Sequence, residues 1–134
     1  MEIKTNLLLV DDSEIITTGL KEVLCSIRNI EKIETAGTLA EAEEVITRRE
    51  INTVILDIQL PDGSGLNFLK WIKNNHPRTI VMILSNMADD FHRNIAKKRG
   101  AHCFFDKSDD LNTLYTLFKT HPIERMREMF NISD

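Results

Sequence analysis

The most constraining feature of this sequence is the regular alternation of short apolar runs with longer amphipathic stretches. Five apolar runs recur, at Leu7–Val10, Ile30–Thr35, Thr53–Leu56, Ile80–Leu84 and Cys103–Phe105. All but the second are nearly continuous in apolar residues, which is typical of parallel strands whose sheet is covered by helices on both faces. The alternation therefore predicts a (βα)₅ α/β fold built on a doubly wound, five-stranded parallel sheet.

The stretches between the runs change to the spacing of amphipathic helices, with apolar residues recurring at i, i+3, i+4 and i+7. Thr38 and Glu41 form a capping-box pattern, which predicts that the second helix begins here. Ser108, followed by two aspartates, predicts the cap of the fifth helix.

The fourth predicted helix, within residues 88–99, combines apolar and basic residues. The pattern places Phe91 and Ile95 on one side and Arg93 and Lys97 on the other. The basic patch consists of Arg93, Lys97, Lys98 and Arg99. It is either a solvated helix face or a docking surface for an acidic partner or a second subunit.

The length of 134 residues suits one domain with a single hydrophobic core. We assign residues 1–120 to this domain and residues 121–134 to a short C-terminal extension. Pro122 introduces a short apolar pattern in the extension, and proline suits the start of a helix. The expected fold therefore ends with a short helical extension.

Polar residues with complementary chemistry follow four of the five apolar runs. Asp11 and Asp12 follow the first run, Asp57 the third, Ser85 the fourth and Lys107 the fifth. Ligands of open α/β sheets bind outside the carboxyl ends of the strands, at the point where the strand order reverses. If the strands follow the flavodoxin-like order 2-1-3-4-5, these residues converge on one crevice. Taken singly, each could be a helix cap, a turn or a solvated loop residue.

Three carboxylates in one crevice repel one another unless a cation shares the site. An oxygen-only ligand set favours a hard divalent ion such as Mg²⁺. A carboxylate is a competent nucleophile toward phosphorus. Lys107 would offset charge on a transferring phosphoryl group, and the hydroxyl of Ser85 could donate to it. The set predicts phosphoryl transfer onto Asp57.

These residues lie in motifs that resemble the receiver domain of two-component response regulators. The motifs are LLLVDDSE, VILDIQLPDGSG, ILSN and FFDKS, and the similarity spans about residues 5–119. The resemblance implies that Asp57 is the phosphoacceptor, with Lys107 and Ser85 assisting. It also implies that Mg²⁺ is bound by Asp11, Asp12, Asp57 and the main-chain carbonyl of Gln59. Ser85 and Phe104 match the switch residues of the family.

The resemblance further implies a signalling switch of the chemotaxis type rather than an enzyme acting on a separate substrate. The domain would catalyse its own phosphorylation and a slow autodephosphorylation. The phosphodonor would be a histidine kinase or a histidine phosphotransfer protein. Phosphorylation would alter the surface of the fourth helix, fifth strand and fifth helix for partner binding or homodimerisation.

Three alternatives are weaker. A haloacid-dehalogenase-like phosphatase would need a second aspartate where this chain has Gln59. A flavodoxin-like cofactor binder would hold phosphate in a first loop that is acidic here. A degenerate receiver would bind partners without phosphorylation, although every member of the acceptor set is present. The chain is expected to be a stand-alone receiver, with excision from a longer transcription factor as the alternative.

Charge and segment lengths bear on location and partners. The formal net charge is −4, which does not indicate direct binding to nucleic acid. The apolar runs are too short to span a bilayer, and the N-terminal run is too short for a signal peptide. Cys25 and Cys103 lack a paired spacing. We therefore expect a cytoplasmic protein without a membrane partner.

Overall fold

The computed structural model of the protein describes residues 3–132. Residues 1–2 of the predicted domain and residues 133–134 of the predicted extension lie outside the described residues. The strands are β1 Thr5–Val10, β2 Ile30–Ala36, β3 Thr53–Leu56, β4 Ile80–Ser85 and β5 Cys103–Asp106. The helices are α1 Glu14–Leu24, α2 Leu39–Arg48, α3 Gly65–Asn75, α4 Asp90–Lys98, α5 Leu111–Thr120 and α6 Ile123–Met129. Two further short strands, Gln59–Leu60 and Gly63–Ser64, pair as an antiparallel hairpin before α3.

The five main strands form one parallel sheet in the order β2-β1-β3-β4-β5. This confirms the predicted fold class and strand order. Strands β1, β3 and β4 are the central ones and are buried along nearly their whole length. β2 lies at one edge, and all of its residues except the buried Ala36 are half-buried or exposed, which explains why its apolar run is the least continuous.

Alternate residues of each strand point to opposite faces, so the sheet separates two core clusters. Helices α2, α3 and α4 pack over Leu8, Val54 and Val81 on one face. Helices α1, α5 and α6 pack over Leu9, Ile55 and Met82 on the other. The predicted C-terminal helix is therefore present, and its Ile123 and Met126 are 0% and 1% exposed within the second cluster.

Two details of the sequence interpretation are wrong. Ser108 does not cap α5, because its N–H donates to Asp106 Oδ1 at 2.8 Å and the helix begins only at Leu111. Phe91 does not join Ile95 on the packed side of α4, since it is 68% exposed. Arg93 lies on the packed side instead, with a side chain 39% exposed.

Within residues 3–132, none of the helices combines the length and the apolar character needed to cross a bilayer.

Candidate functional site

The candidate site lies at the carboxyl ends of β1 and β3, two of the three central strands. The parallel ladder continues one residue past each strand, since the N–H of Asp11 donates to the Ala36 carbonyl and that of Asp57 to the Val10 carbonyl. This pairing fixes the two aspartates side by side. Asp12 follows directly, and carboxylate oxygens of Asp11, Asp12 and Asp57 lie within 4.8 Å of one another.

Lys107 reaches this cluster from the loop after β5. Its N–H donates to the Ser85 carbonyl at 3.1 Å, which extends the pairing of β4 and β5 by one residue. Its ammonium Nζ lies 2.7 Å from Asp11 Oδ2 and 2.9 Å from Asp57 Oδ2. The three side chains are 9% exposed or less. Lys107 therefore bridges two buried carboxylates at the centre of the crevice.

Burial and ion pairing shift the pKa values of these groups. Burial raises the pKa of Asp11 above its usual value, and the hydrogen bonds and charge of Lys107 offset only part of this. Burial alone would lower the pKa of Lys107, but its hydrogen bonds to Asp11 and Asp57 and their charges raise it overall. The lysine is therefore held as a cation.

The carboxylate of Asp57 is fixed on both oxygens. Oδ1 accepts a hydrogen bond from the Ile58 N–H at 2.7 Å, and Oδ2 accepts one from Lys107. Behind it, the N–H of Gly65 donates to the Ile58 carbonyl at 2.7 Å. A Cβ atom at Gly65 would stand 1.9 Å from the Asp57 carbonyl oxygen, so only glycine fits here. The role of Gly65 was not predicted, although the glycine-rich turn 60–65 was the available signal.

The other predicted site residues, Ser85, Gln59 and Phe104, lie around the cluster of aspartates and Lys107. Ser85 ends β4, is 1% exposed, and accepts a hydrogen bond from the Met87 N–H through Oγ. Gln59 begins the short hairpin two residues after Asp57, and its side chain is exposed. Phe104 is half-buried on β5 and packs at the edge of the first core cluster. The structure thus brings together the three aspartates and Lys107, with Ser85 beside Lys107.

The crevice fits a divalent cation by its donor set. With all three carboxylates ionised, the ammonium of Lys107 leaves two negative charges in excess. Asp11 Oδ2 is buried, and beyond its ion pair with Lys107 it accepts no hydrogen bond from the described residues. Oxygen ligands on a buried, anionic site are those that Mg²⁺ prefers.

The sequence profile of the response regulator receiver domain matches residues 7–119. The chain belongs to this family. The match favours the receiver over the phosphatase and cofactor-binding alternatives. Receiver domains act as phosphoacceptor switches in two-component signalling and bind Mg²⁺ at an acidic pocket, and this chain has an acidic cluster of Asp11, Asp12 and Asp57.

Three known proteins are similar to this chain. The receiver shares 29% identity with the Fimbriae Z protein of Salmonella typhimurium over 85% of this chain and 54% of that protein. It shares 33% identity with the response regulator protein PilR of Pseudomonas aeruginosa over 84% of this chain and 25% of that one. This chain thus spans about half the length of the Fimbriae Z protein and about a quarter of the length of PilR.

A solved structure gives the third comparison. The beryllofluoride-activated NtrC4 receiver domain dimer matches with a TM-score of 0.79 and 32% identity, over 90% of this receiver and 98% of that chain. This likeness supports both the fold and the family.

Proposed function

We propose that this receiver accepts a phosphoryl group on Asp57 from a histidine kinase or a histidine phosphotransfer protein. The observation that carries the proposal is the bridge of Lys107 to Asp11 and Asp57 within an otherwise anionic crevice. A buried cation beside a fixed carboxylate is what phosphoryl transfer requires, because catalysis consists mainly of positioning and charge neutralisation.

In the transfer step, a carboxylate oxygen of Asp57 forms a bond to phosphorus. The bond between phosphorus and the donor's imidazole nitrogen breaks, and its electron pair leaves with the nitrogen. Lys107 offsets negative charge on the phosphoryl oxygens. Ser85 can donate its hydroxyl proton to one of them while still accepting from the Met87 N–H, since a hydroxyl does both. Slow hydrolysis of the acyl phosphate returns the carboxylate.

Asp11, Asp12, Asp57 and the main-chain carbonyl of Gln59 are the groups that would hold Mg²⁺. When bound, the ion neutralises excess negative charge so that the crevice can admit an anionic phosphoryl group. Two features of the chain support this assignment, namely the exposed position of Asp12 and the location of Gln59 at the start of the hairpin beside Asp57.

Phosphorylation would then alter the surface of α4, β5 and α5. A phosphoryl oxygen on Asp57 attracts the hydroxyl of Ser85 and draws the loop after β4 toward the site. Phe104 can fill the space this leaves, and burying more of its ring would favour the switched state by roughly 1–2 kcal/mol. The altered surface serves partner binding or homodimerisation.

We assign residues 1–120 to the receiver and residues 121–134 to an extension that is packed on it through α6. The expected location is the cytoplasm, where the proposed phosphodonors meet the chain. Direct binding to nucleic acid is not expected, because the net charge is −4.

Treatment with phosphoramidate and Mg²⁺ tests the acceptor. Intact-mass measurement should show one added phosphoryl group, which EDTA and Asp57→Asn should each abolish. Asp109→Asn is the matched control, because Asp109 is exposed in the loop beside Lys107 and outside the crevice. Full labelling of Asp57→Asn would refute the assignment.

The surface change is tested separately by sedimentation and hydrogen exchange, with and without beryllofluoride as a phosphoryl mimic. We expect altered protection within residues 85–110, with or without a change in assembly state. If both remain the same, the switch proposal is wrong even where Asp57 is labelled.

A further inference from the structure

Arg93 on α4 was expected on a solvated helix face or a docking surface, but its side chain makes contacts within the fold. Its Nε donates to the Ala88 carbonyl at 2.8 Å. Its guanidinium carbon lies 4.8 Å from the centroid of the Phe104 ring, and its Nη2 lies 4.0 Å from Asp110 Oδ2. One partly buried side chain therefore contacts three segments of the fold.

Each of these segments adjoins a residue of the proposed switch. Ala88 lies in the loop between β4 and α4, three residues after Ser85. Phe104 is the predicted switch aromatic on β5. Asp110 accepts the Asp106 N–H through Oδ2 at 2.9 Å, which closes the loop that carries Lys107. Arg93 thus connects the loop after β4 and the loop after β5 to the aromatic ring of Phe104.

The contacts of Arg93 with Ala88 and Phe104 are attractive interactions that stabilise the observed arrangement. The hydrogen bond to Ala88 is charge-assisted, and the guanidinium over the aromatic face is a cation–π contact. In the observed conformation, Lys107 bonds the free carboxylate of Asp57 and Ser85 bonds the Met87 N–H. Phosphorylation would change this conformation by drawing the Ser85 loop toward Asp57 and turning the ring of Phe104 inward.

We propose that Arg93 is a latch that stabilises the resting conformation and opposes the switch until Asp57 is phosphorylated. This inference rests on the proposed function. Movement of the loop pulls the Ala88 carbonyl away from Arg93, and rotation of the ring removes Phe104 from beneath the guanidinium. Contacts present only in the resting conformation bias the equilibrium toward it. Arg93 therefore restrains the switch, whereas Lys97 and Lys98 at the end of the same helix are exposed.

The apparent affinity for beryllofluoride in Mg²⁺ tests the latch, because ligand binding to a minor conformation is weakened by the rarity of that conformation. Arg93→Ala should bind beryllofluoride about three- to tenfold more tightly than the wild type. Asp110→Asn, which removes the ion pair, should shift the affinity in the same direction by less. Lys70→Ala removes a positive charge from an exposed position of α3, outside the surface of α4, β5 and α5, and should leave the affinity unchanged.

A purely structural role of Arg93 predicts the opposite result, since general loosening of the fold would weaken binding or leave it equal. Arg93→Ala should also accelerate amide exchange within residues 86–92 without beryllofluoride. In a Phe104→Leu background, the gain from Arg93→Ala should shrink, because the ring that the arginine covers is gone. Unchanged or weaker affinity in Arg93→Ala overturns the latch.

The same titration separates the latch from the function on which it rests. Wild-type protein that binds beryllofluoride, with binding lost in Asp57→Asn, upholds the acceptor whatever Arg93→Ala does. Wild-type protein that shows no binding dependent on Asp57 overturns the proposed function and the latch together.

Discussion

Replacing Lys107 with methionine tests the electrostatics of the crevice without a phosphodonor. The substitution retains most of the apolar volume of the side chain and removes the ammonium. Asp11 Oδ2 then loses a cation that lay 2.7 Å away, and Asp57 Oδ2 loses the same cation at 2.9 Å. Solvent cannot replace it, because the Asp11 and Asp57 side chains are only 6% and 9% exposed. They are left close together and without this compensating charge.

Removing one partner of a buried ion pair typically costs about 3–5 kcal/mol. The crevice opens to solvent at the exposed Asp12, so we expect the lower end of this range, about 3 kcal/mol, at pH 7 in EDTA. Burial already raises the pKa of Asp11, and without Lys107 that pKa should rise further. The folded variant should therefore bind protons more readily than the unfolded chain. Part of its lost stability should return as the pH falls from 7 toward 5.

Urea unfolding of the two proteins in EDTA measures the loss directly. Added Mg²⁺ should restore stability to Lys107→Met by binding to its folded state. Lys97→Met is the matched control, because Lys97 is exposed on α4, and it should change the unfolding free energy by no more than about 0.5 kcal/mol. Wild-type stability of Lys107→Met in EDTA at pH 7 would refute the argument that the carboxylates need this cation.

Three further predictions concern the fold around the site. Burial lowers the pKa of His102 to about 4 from 6.5, so the unfolded chain takes up a proton on this residue at a higher pH than the folded protein does. The folded state is therefore favoured above pH 6.5, and it loses this stabilisation as the pH falls from 6.5 toward 4. The loss should be roughly 2 kcal/mol between pH 7.5 and 5 in urea titrations, and His102→Asn, which can still accept from the Val81 N–H, should not show it. Ile123→Ala should cost about 2–4 kcal/mol in the same assay, because the side chain is fully buried, and a smaller loss would mean that α6 is only loosely attached. Gly65→Ala should cost about 3 kcal/mol or more and slow phosphoramidate labelling, because its Cβ would collide with the Asp57 carbonyl oxygen; labelling at the wild-type rate would count against this.

Much of the fold could be predicted because its signals are local. The nearly continuous apolar run at 53–56 marks a strand buried on both faces, and Thr38 caps α2 as its pattern indicates, accepting the Glu41 N–H at 3.1 Å. The strand order required an assumption, and the structure confirms it. With that order, the acidic residues after β1 and β3 become neighbours, as the spacing of Asp11 and Asp57 suggested.

The features that could not be predicted depend on tertiary contacts. Helical periodicity assigned Phe91 to the apolar side of α4, but the narrow packed face of that helix takes Arg93, which finds an aromatic ring and a carbonyl as partners. Propensity favoured Ser108 as a cap, whereas Asp106 binds its N–H and delays the helix. The steric need for Gly65 depends on the Asp57 carbonyl, which only the folded chain brings near.

The most direct test of the central claim identifies which carboxylate receives the phosphoryl group. Intact mass alone does not distinguish Asp57 from Asp11 and Asp12, whose oxygens lie within 4.8 Å of one another. Borohydride reduces an aspartyl phosphate to homoserine, which peptide sequencing by mass spectrometry locates. After phosphoramidate treatment in Mg²⁺, we predict homoserine at position 57 and unmodified aspartate at positions 11 and 12. Homoserine at position 11 or 12, or at none of the three, would contradict the account.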